Sequence, residues 1–205
     1  MALLSGSFDP LTLGHEALST AAAGRADLVV LVHSVRTLPK EAGATAPLLS
    51  EDERLRVLES FCRVRPGLAP ALCSHGLLAE QVAAAADRLP RAELAVVAGS
   101  DKVLQVLDPR WYRDRDAELA PMFDRAEFWY AVRRGEREAV ERLLAAPENA
   151  AWAGRFHPLD VGPDVAAVSS RRVRELARRG QNTSGLVPPE AMDSIRRAVA
   201  SEGEL

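Results

Sequence analysis

Cysteine is scarce in this chain: among 205 residues there are two, Cys62 and Cys73. They are far apart and form neither a zinc-binding pair nor a C-x-x-C redox motif, so they read as ordinary reduced thiols. Charge of one sign is also lacking. Twenty-six Lys and Arg against 29 Asp and Glu leave a formal net charge of -3, which gives no global electrostatic case for nucleic acid or an anionic membrane. No apolar run approaches the roughly 20 residues needed to span a bilayer. The first residues carry no basic segment followed by an apolar stretch, so no secretory leader is expected and a cytoplasmic location is. Internal repeats, long linkers and a carboxylate cluster that would build a metal site are all missing. The expectation is therefore one domain over residues 1–205, with a helical C-terminal portion from about residue 165. Apolar residues make up 47% of the chain, enough for a sizeable core.

Short β-branched or apolar runs alternate with helical patterns along this chain. Ala2–Ser5, Asp27–His33 (DLVVLVH), Glu93–Ala98 (ELAVVA), Glu127–Val132 (EFWYAV) and, more weakly, Phe156–Val161 read as strands. Helical patterns cover Gly14–Ala23, Gly76–Leu89, Asp101–Leu107, Glu136–Ala145, Ser169–Arg179 and Pro189–Ala200, with Arg36–Leu49 as a loop between them. Ser50 followed three residues later by Glu53 marks a capping-box helix start. The natural solution is an α/β, Rossmann-like, mostly parallel sheet with helices on both faces. Ligands in such sheets sit beyond the carboxyl ends of the strands, which directs attention to the loops after Ser5, His33, Ala98 and Val161.

The first of these loops, GSFDPLTLGH, runs from Gly6 to His15. Gly6 permits a sharp turn, Gly14 permits close approach of backbone and ligand, and the helix that follows directs unpaired N–H groups toward an anion. Thr12 and His15, three residues apart, are expected to face the same anion. Such a pocket suits phosphoryl or nucleotidyl transfer. The attacking phosphate is already ionised, so no general base is needed, and His15 stabilises charge growing at the α-phosphate. Near the other end, VSSRRVR places Ser169 and Ser170 at a helix start and Arg174 four residues beyond Ser170, an arrangement suited to a polyphosphate.

GSFDPLTLGH resembles the T/HxGH motif of the HIGH-type nucleotidyltransferase superfamily in its adenylyltransferase form. VSSRRVR resembles the ISSTxxR motif of the same superfamily, with Val168, Ser169, Ser170 and Arg174 in register and Arg171 standing where the family carries threonine. The resemblance implies a nucleotide site built from Gly6, Ser7, Phe8, Gly14, His15, Gly99, Asp101, Ser169, Ser170 and Arg174, with His15, Thr12 and Arg174 in catalysis. The ELAVVAGSDKV segment and the LVP segment near the C-terminus are similar to those of nicotinate and nicotinamide mononucleotide adenylyltransferases. On that likeness Lys40 approaches acceptor or triphosphate oxygens, and Trp111 stacks on the acceptor's pyridine ring.

The leading expectation is adenylyl transfer from ATP to a pyridine mononucleotide with release of pyrophosphate, with Mg²⁺ bound through the triphosphate rather than by a protein-built site. The first alternative is another phosphorylated acceptor. GSFDP followed by threonine also resembles phosphopantetheine adenylyltransferase, and cytidylyl transfer to a phospho-alcohol is a third option. A nucleotide-binding module without turnover, suggested by Arg171, is the rival from outside enzymology. The expected partners are small molecules, not nucleic acid or membrane, and self-association into a homo-oligomer stays open.

Overall fold

The structure is a computed structural model that describes residues 1–35 and 46–202. Six strands form one sheet, each pair of neighbours parallel: β1 (Ala2–Gly6), β2 (Val29–Ser34), β3 (Leu68–Cys73), β4 (Leu94–Gly99), β5 (Ala126–Ala131) and β6 (Phe156–Pro158), in the order β3-β2-β1-β4-β5-β6. The two halves wind outward from β1 and β4, which lie side by side with Leu3 opposite Val96. The strand order therefore reverses between them, and their carboxyl ends at Gly6 and Gly99 open the crevice where this architecture binds ligands.

Period-2 alternation distributes the strand side chains between two cores. Ala2, Leu4, Val29, Leu31, Ala95 and Val97 face α1 (Leu13–Ala23), α2 (Glu51–Arg63), α9 (Ser170–Arg178) and α10 (Pro189–Glu202). Leu3, Val32, Val96, Phe128 and Tyr130 face the opposite layer, which contains α3 (Leu78–Arg88), α4 (Ser100–Val106), α5 (Arg115–Arg125), α6 (Arg137–Ala145) and α7 (Ala150–Ala153). A short α8 (Pro163–Ala166) precedes α9 and packs on α1. No helix among the described residues is long and apolar enough to cross a membrane.

The expected strands and helices are present, most with ends shifted by a residue or two; the weakest strand, expected over Phe156–Val161, stops at Pro158. Ser50 and Glu53 form the capping box at the start of α2. Of the elements that went unexpected, two carry a proline that the local rules disfavour. Strand β3 (LAPALC) carries Pro70 and is largely half-exposed, so it has neither the apolar run nor the clean alternation of a buried strand. It is accommodated because it lies at the sheet edge, where a missing N–H is tolerated. Helix α5 contains Pro121, a strong interior breaker, yet Leu119, Met122 and Phe123 are each 2% exposed. Burial of this i, i+3, i+4 stripe outweighs the local cost of proline. Both cysteines are free, and burial pushes the Cys62 thiol up to about 11.

Candidate nucleotide-binding site

A cavity of about 300 Å³ opens at the carboxyl ends of β1 and β4. Its mouth is formed by Gly6, Ser7, His15, Gly99, Asp101, Arg133, Ser169 and Ser170. Away from the mouth it continues as a bay bounded by Gly76–Ala79, Lys102, Gln105, Val106, Tyr112, Glu118, Leu119 and Met122. The volume lies at the lower end of small-molecule sites.

His15 is fixed from three directions. Thr12 is the N-cap of α1, and its backbone N–H donates to His15 Nδ1 at 3.1 Å. An amide can only donate, so Nδ1 is the acceptor and the ring proton sits on Nε2. The Thr12 hydroxyl lies 2.8 Å from the same Nδ1. The ring of Phe8 meets the imidazole edge-on, centroids 5.1 Å apart. Burial, and secondarily the Arg133 guanidinium, lower the His15 pKa to about 4. At neutral pH His15 is therefore a neutral Nε2–H donor, oriented in advance.

This geometry corrects several residue roles. Thr12 is fully buried and does not line the cavity; its hydroxyl lies against His15 Nδ1 and Val168 O, so it holds the histidine instead of touching an anion. Phe8 is likewise a support. It has φ 47°, a left-handed conformation costly for a bulky residue, and its ring folds under Gly6, where an added Cβ would stand 3.3 Å from it. Gly14 is needed for another reason than the one expected. A Cβ there would meet Val168 O at 2.7 Å and Val165 O at 3.1 Å, so the missing side chain admits the backbone before α9, not a ligand.

The two motifs are thus in direct contact. Ser170 Oγ donates to Pro10 O at 2.8 Å, and Leu13 N–H donates to Leu186 O, within the LVP segment, at 2.9 Å. Ser169 caps α9 through Arg172 N–H, and both serines border the cavity. Arg174 does not border it. Its guanidinium is turned to Asp9, donating to the Asp9 carbonyl and lying 3.4 Å from the carboxylate, with 12% of the side chain exposed. Arg171, in the family's threonine position, is exposed on the outside of α9 and takes no part in the cavity wall.

Among the remaining expected residues, Gly99 and Asp101 lie at the mouth. The N-cap of α4 is Gly99; Asp101 sits two residues on and pairs with Arg133 Nη2 at 3.2 Å. A Cβ on Gly99 would strike Asp101 Oδ1 at 2.7 Å and Arg133 Nε at 3.2 Å, so this glycine makes room for the pair. Trp111 is 47% exposed and outside the cavity wall; its neighbour Tyr112 is the aromatic that enters the bay. Lys40 lies outside the described residues. Arg54, on α2, is buried, with Nε donating to Leu49 O at 2.8 Å. Among the described residues no group of three or more His, Cys, Asp or Glu could hold a metal ion.

Sequence reasoning missed Arg133. It lies two residues past the end of β5, and applying the strand-end rule to that strand as well would have pointed to it.

Two outcomes follow from this arrangement. Gly14→Ala should drive the pre-α9 backbone away from α1, with a loss of roughly 1–3 kcal/mol in denaturant unfolding. The His15 pKa falls on folding, so below the unfolded value of about 6.5 the unfolded chain takes up a proton that the folded one refuses. His15 should accordingly withdraw stability as pH falls from about 6.5 toward 4, and no further below that. In chemical denaturation between pH 7 and 4, His15→Gln should lose roughly 1–3 kcal/mol less than the wild type.

Comparison with known proteins agrees with this geometry. Residues 3–176 match the cytidylyltransferase-like family. The phosphopantetheine adenylyltransferase of Symbiobacterium thermophilum is 30% identical over 200 residues, spanning 97% of this chain and 96% of the relative. Enzymes of the same name are 28% identical in Cutibacterium acnes, over 91% of this chain and 90% of the relative, and 26% identical in Frankia casuarinae, over 95% of each. A parallel sheet with its cavity at the β1–β4 reversal, a histidine presented at the helix start after β1, and a match over most of the chain together place this protein in the cytidylyltransferase-like family of nucleotidyltransferases.

Proposed function

We propose that the protein transfers an adenylyl group from ATP to a phosphate-bearing acceptor with a flexible, partly apolar arm, of the phosphopantetheine kind. The observation that carries this reading is the continuity of the cavity. The mouth holding His15, Ser169 and Ser170 runs into a bay whose apolar wall includes Leu78, Val106, Leu119 and Met122, with Gln105, Glu118 and Lys102 as polar neighbours. An extended chain with amide groups fits such a mixture.

A pyridine mononucleotide, the acceptor first expected, would need a stacking surface. Trp111, the residue expected to supply it, lies outside the wall. The names of the three relatives favour the phosphopantetheine acceptor as well. The triphosphate would arrive as its Mg²⁺ complex, the ion bound mainly by phosphate oxygens.

In the reaction, a phosphate oxygen of the acceptor attacks the α-phosphorus in line. The bond from that phosphorus to the bridging oxygen breaks, and its electron pair leaves with pyrophosphate. His15 Nε2–H donates to a non-bridging α-phosphate oxygen as negative charge grows there. Because Nδ1 is already bound by Thr12, the ring needs no reorganisation. Unpaired N–H groups in the first turn of α9, beyond the Ser169 cap, supply further donors to the phosphates.

The test is pyrophosphate release with ATP or CTP against phosphopantetheine, nicotinate mononucleotide, nicotinamide mononucleotide and a phospho-alcohol. ATP with phosphopantetheine should give the highest kcat/KM, and His15→Ala should lower kcat about 10²-fold or more. A kcat/KM highest with either pyridine mononucleotide would restore that acceptor, and ATP binding without turnover on any acceptor would make the protein a nucleotide-binding module.

A further inference from the structure

We propose that Arg133 is the cation that grips the β- and γ-phosphates of the nucleoside triphosphate and neutralises departing pyrophosphate, a task that the C-terminal motif would give to Arg174. The proposal rests on the cavity being the triphosphate site, and concerns which guanidinium serves it.

The two arginines differ in every respect that bears on this role. Arg174 is directed away from the cavity to Asp9. Moving it to a ligand would take from the Asp9 carboxylate, 4% exposed, the nearer of its two flanking guanidinium groups. Arg133 stands in the cavity wall with 30% of its side chain exposed. Its Nε donates to Ala166 O at 3.2 Å, in the turn that leads into Val168–Ser170, and its Nη2 pairs with Asp101. Among the described residues Nη1 has no hydrogen-bond partner, so its two N–H groups are left for a ligand.

The placement also bears on which phosphates. Arg133 donates to Ala166 O, just before the turn into Ser169 and Ser170, whose helix start is the proposed phosphate cradle. Arg133 is close enough to His15 for its charge to depress protonation of the imidazole.

A dedicated set of contacts holds it there. Ser100 is fully buried and accepts the Arg133 backbone N–H at 2.9 Å, while its own hydroxyl donates to Glu136. The missing side chain at Gly99 leaves space for the guanidinium beside Asp101. Ser100 and Gly99 are thus positioning residues for Arg133. The Asp101 pair keeps the cation compensated when no polyphosphate is bound.

The experiment is calorimetric binding of MgATP and of AMP, without acceptor, to the full-length wild type and to Arg133→Ala and Arg133→Lys. It is accompanied by NMR titration of His15 and by a thermal midpoint for each variant. Arg133→Ala should weaken MgATP binding about 10-fold or more and leave AMP within about 3-fold, because AMP lacks the contacted phosphates. Arg133→Lys should recover part of the loss, and the His15 pKa should rise in Arg133→Ala. Unchanged MgATP affinity in a folded Arg133→Ala, or equal weakening of MgATP and AMP, overturns the assignment while leaving the nucleotide site intact. A wild type that binds no MgATP overturns the assignment and the proposed function together.

Discussion

The carboxylate of Asp9, buried within the first strand-end loop, accepts the backbone N–H groups of Leu48 and Leu49 at 2.8–3.1 Å. Two guanidinium groups flank it, Arg54 at 3.9 Å and Arg174 at 3.4 Å. One charge therefore ties together the loop after β1, the entry to α2 and the helix of the C-terminal motif. In so dry a setting, removing a single partner exposes the remaining charges to a penalty of about 3–5 kcal/mol. The shape of the phosphate-facing mouth follows from this knot. With Asp9 satisfied, Pro10 O lies where Ser170 Oγ can reach it, and α9 starts beside His15.

Seen from this knot, the conserved-looking spacing of the two motifs divides into holding and touching. Phe8, Thr12, Gly14 and Arg174 hold; Ser7, His15, Ser169 and Ser170 stand at the cavity. The sequence pattern does not separate the two classes, because a buried threonine that orients a histidine and one that donates to phosphate carry the same spacing. The spacing does identify the region. Both motifs lie where strand–helix alternation and the crossover rule put them, and five of the six strands were legible from apolar runs. What stayed hidden depends on tertiary context: an edge strand that tolerates Pro70, a helix that tolerates Pro121, and Arg133, whose chemistry comes from neighbours 33 residues away on either side, Ser100 and Ala166.

The neutral state of His15 bears on the proposed reaction. A permanently charged imidazolium would attract phosphate before reaction and after it alike. A neutral donor aligned by Thr12 interacts most strongly when charge accumulates, which is the condition for lowering a barrier rather than merely tightening binding. Under the assignment proposed above, permanent positive charge comes instead from Arg133 beside it, compensated by Asp101, and charge neutralisation is separated from transition-state recognition.

The proline in β3 bears on how the molecule coexists with copies of itself. An open parallel sheet ends in backbone groups ready to accept another strand, and such edges invite uncontrolled growth. Pro70 sits near the middle of this outermost strand and has no amide hydrogen to offer. A neighbouring chain laid along β3 would lack a bond at the centre of its path, so sheet extension is discouraged at this border even though Leu72 nearby is 58% exposed. Any association through this side would have to rely on side-chain contact instead of a continued ladder.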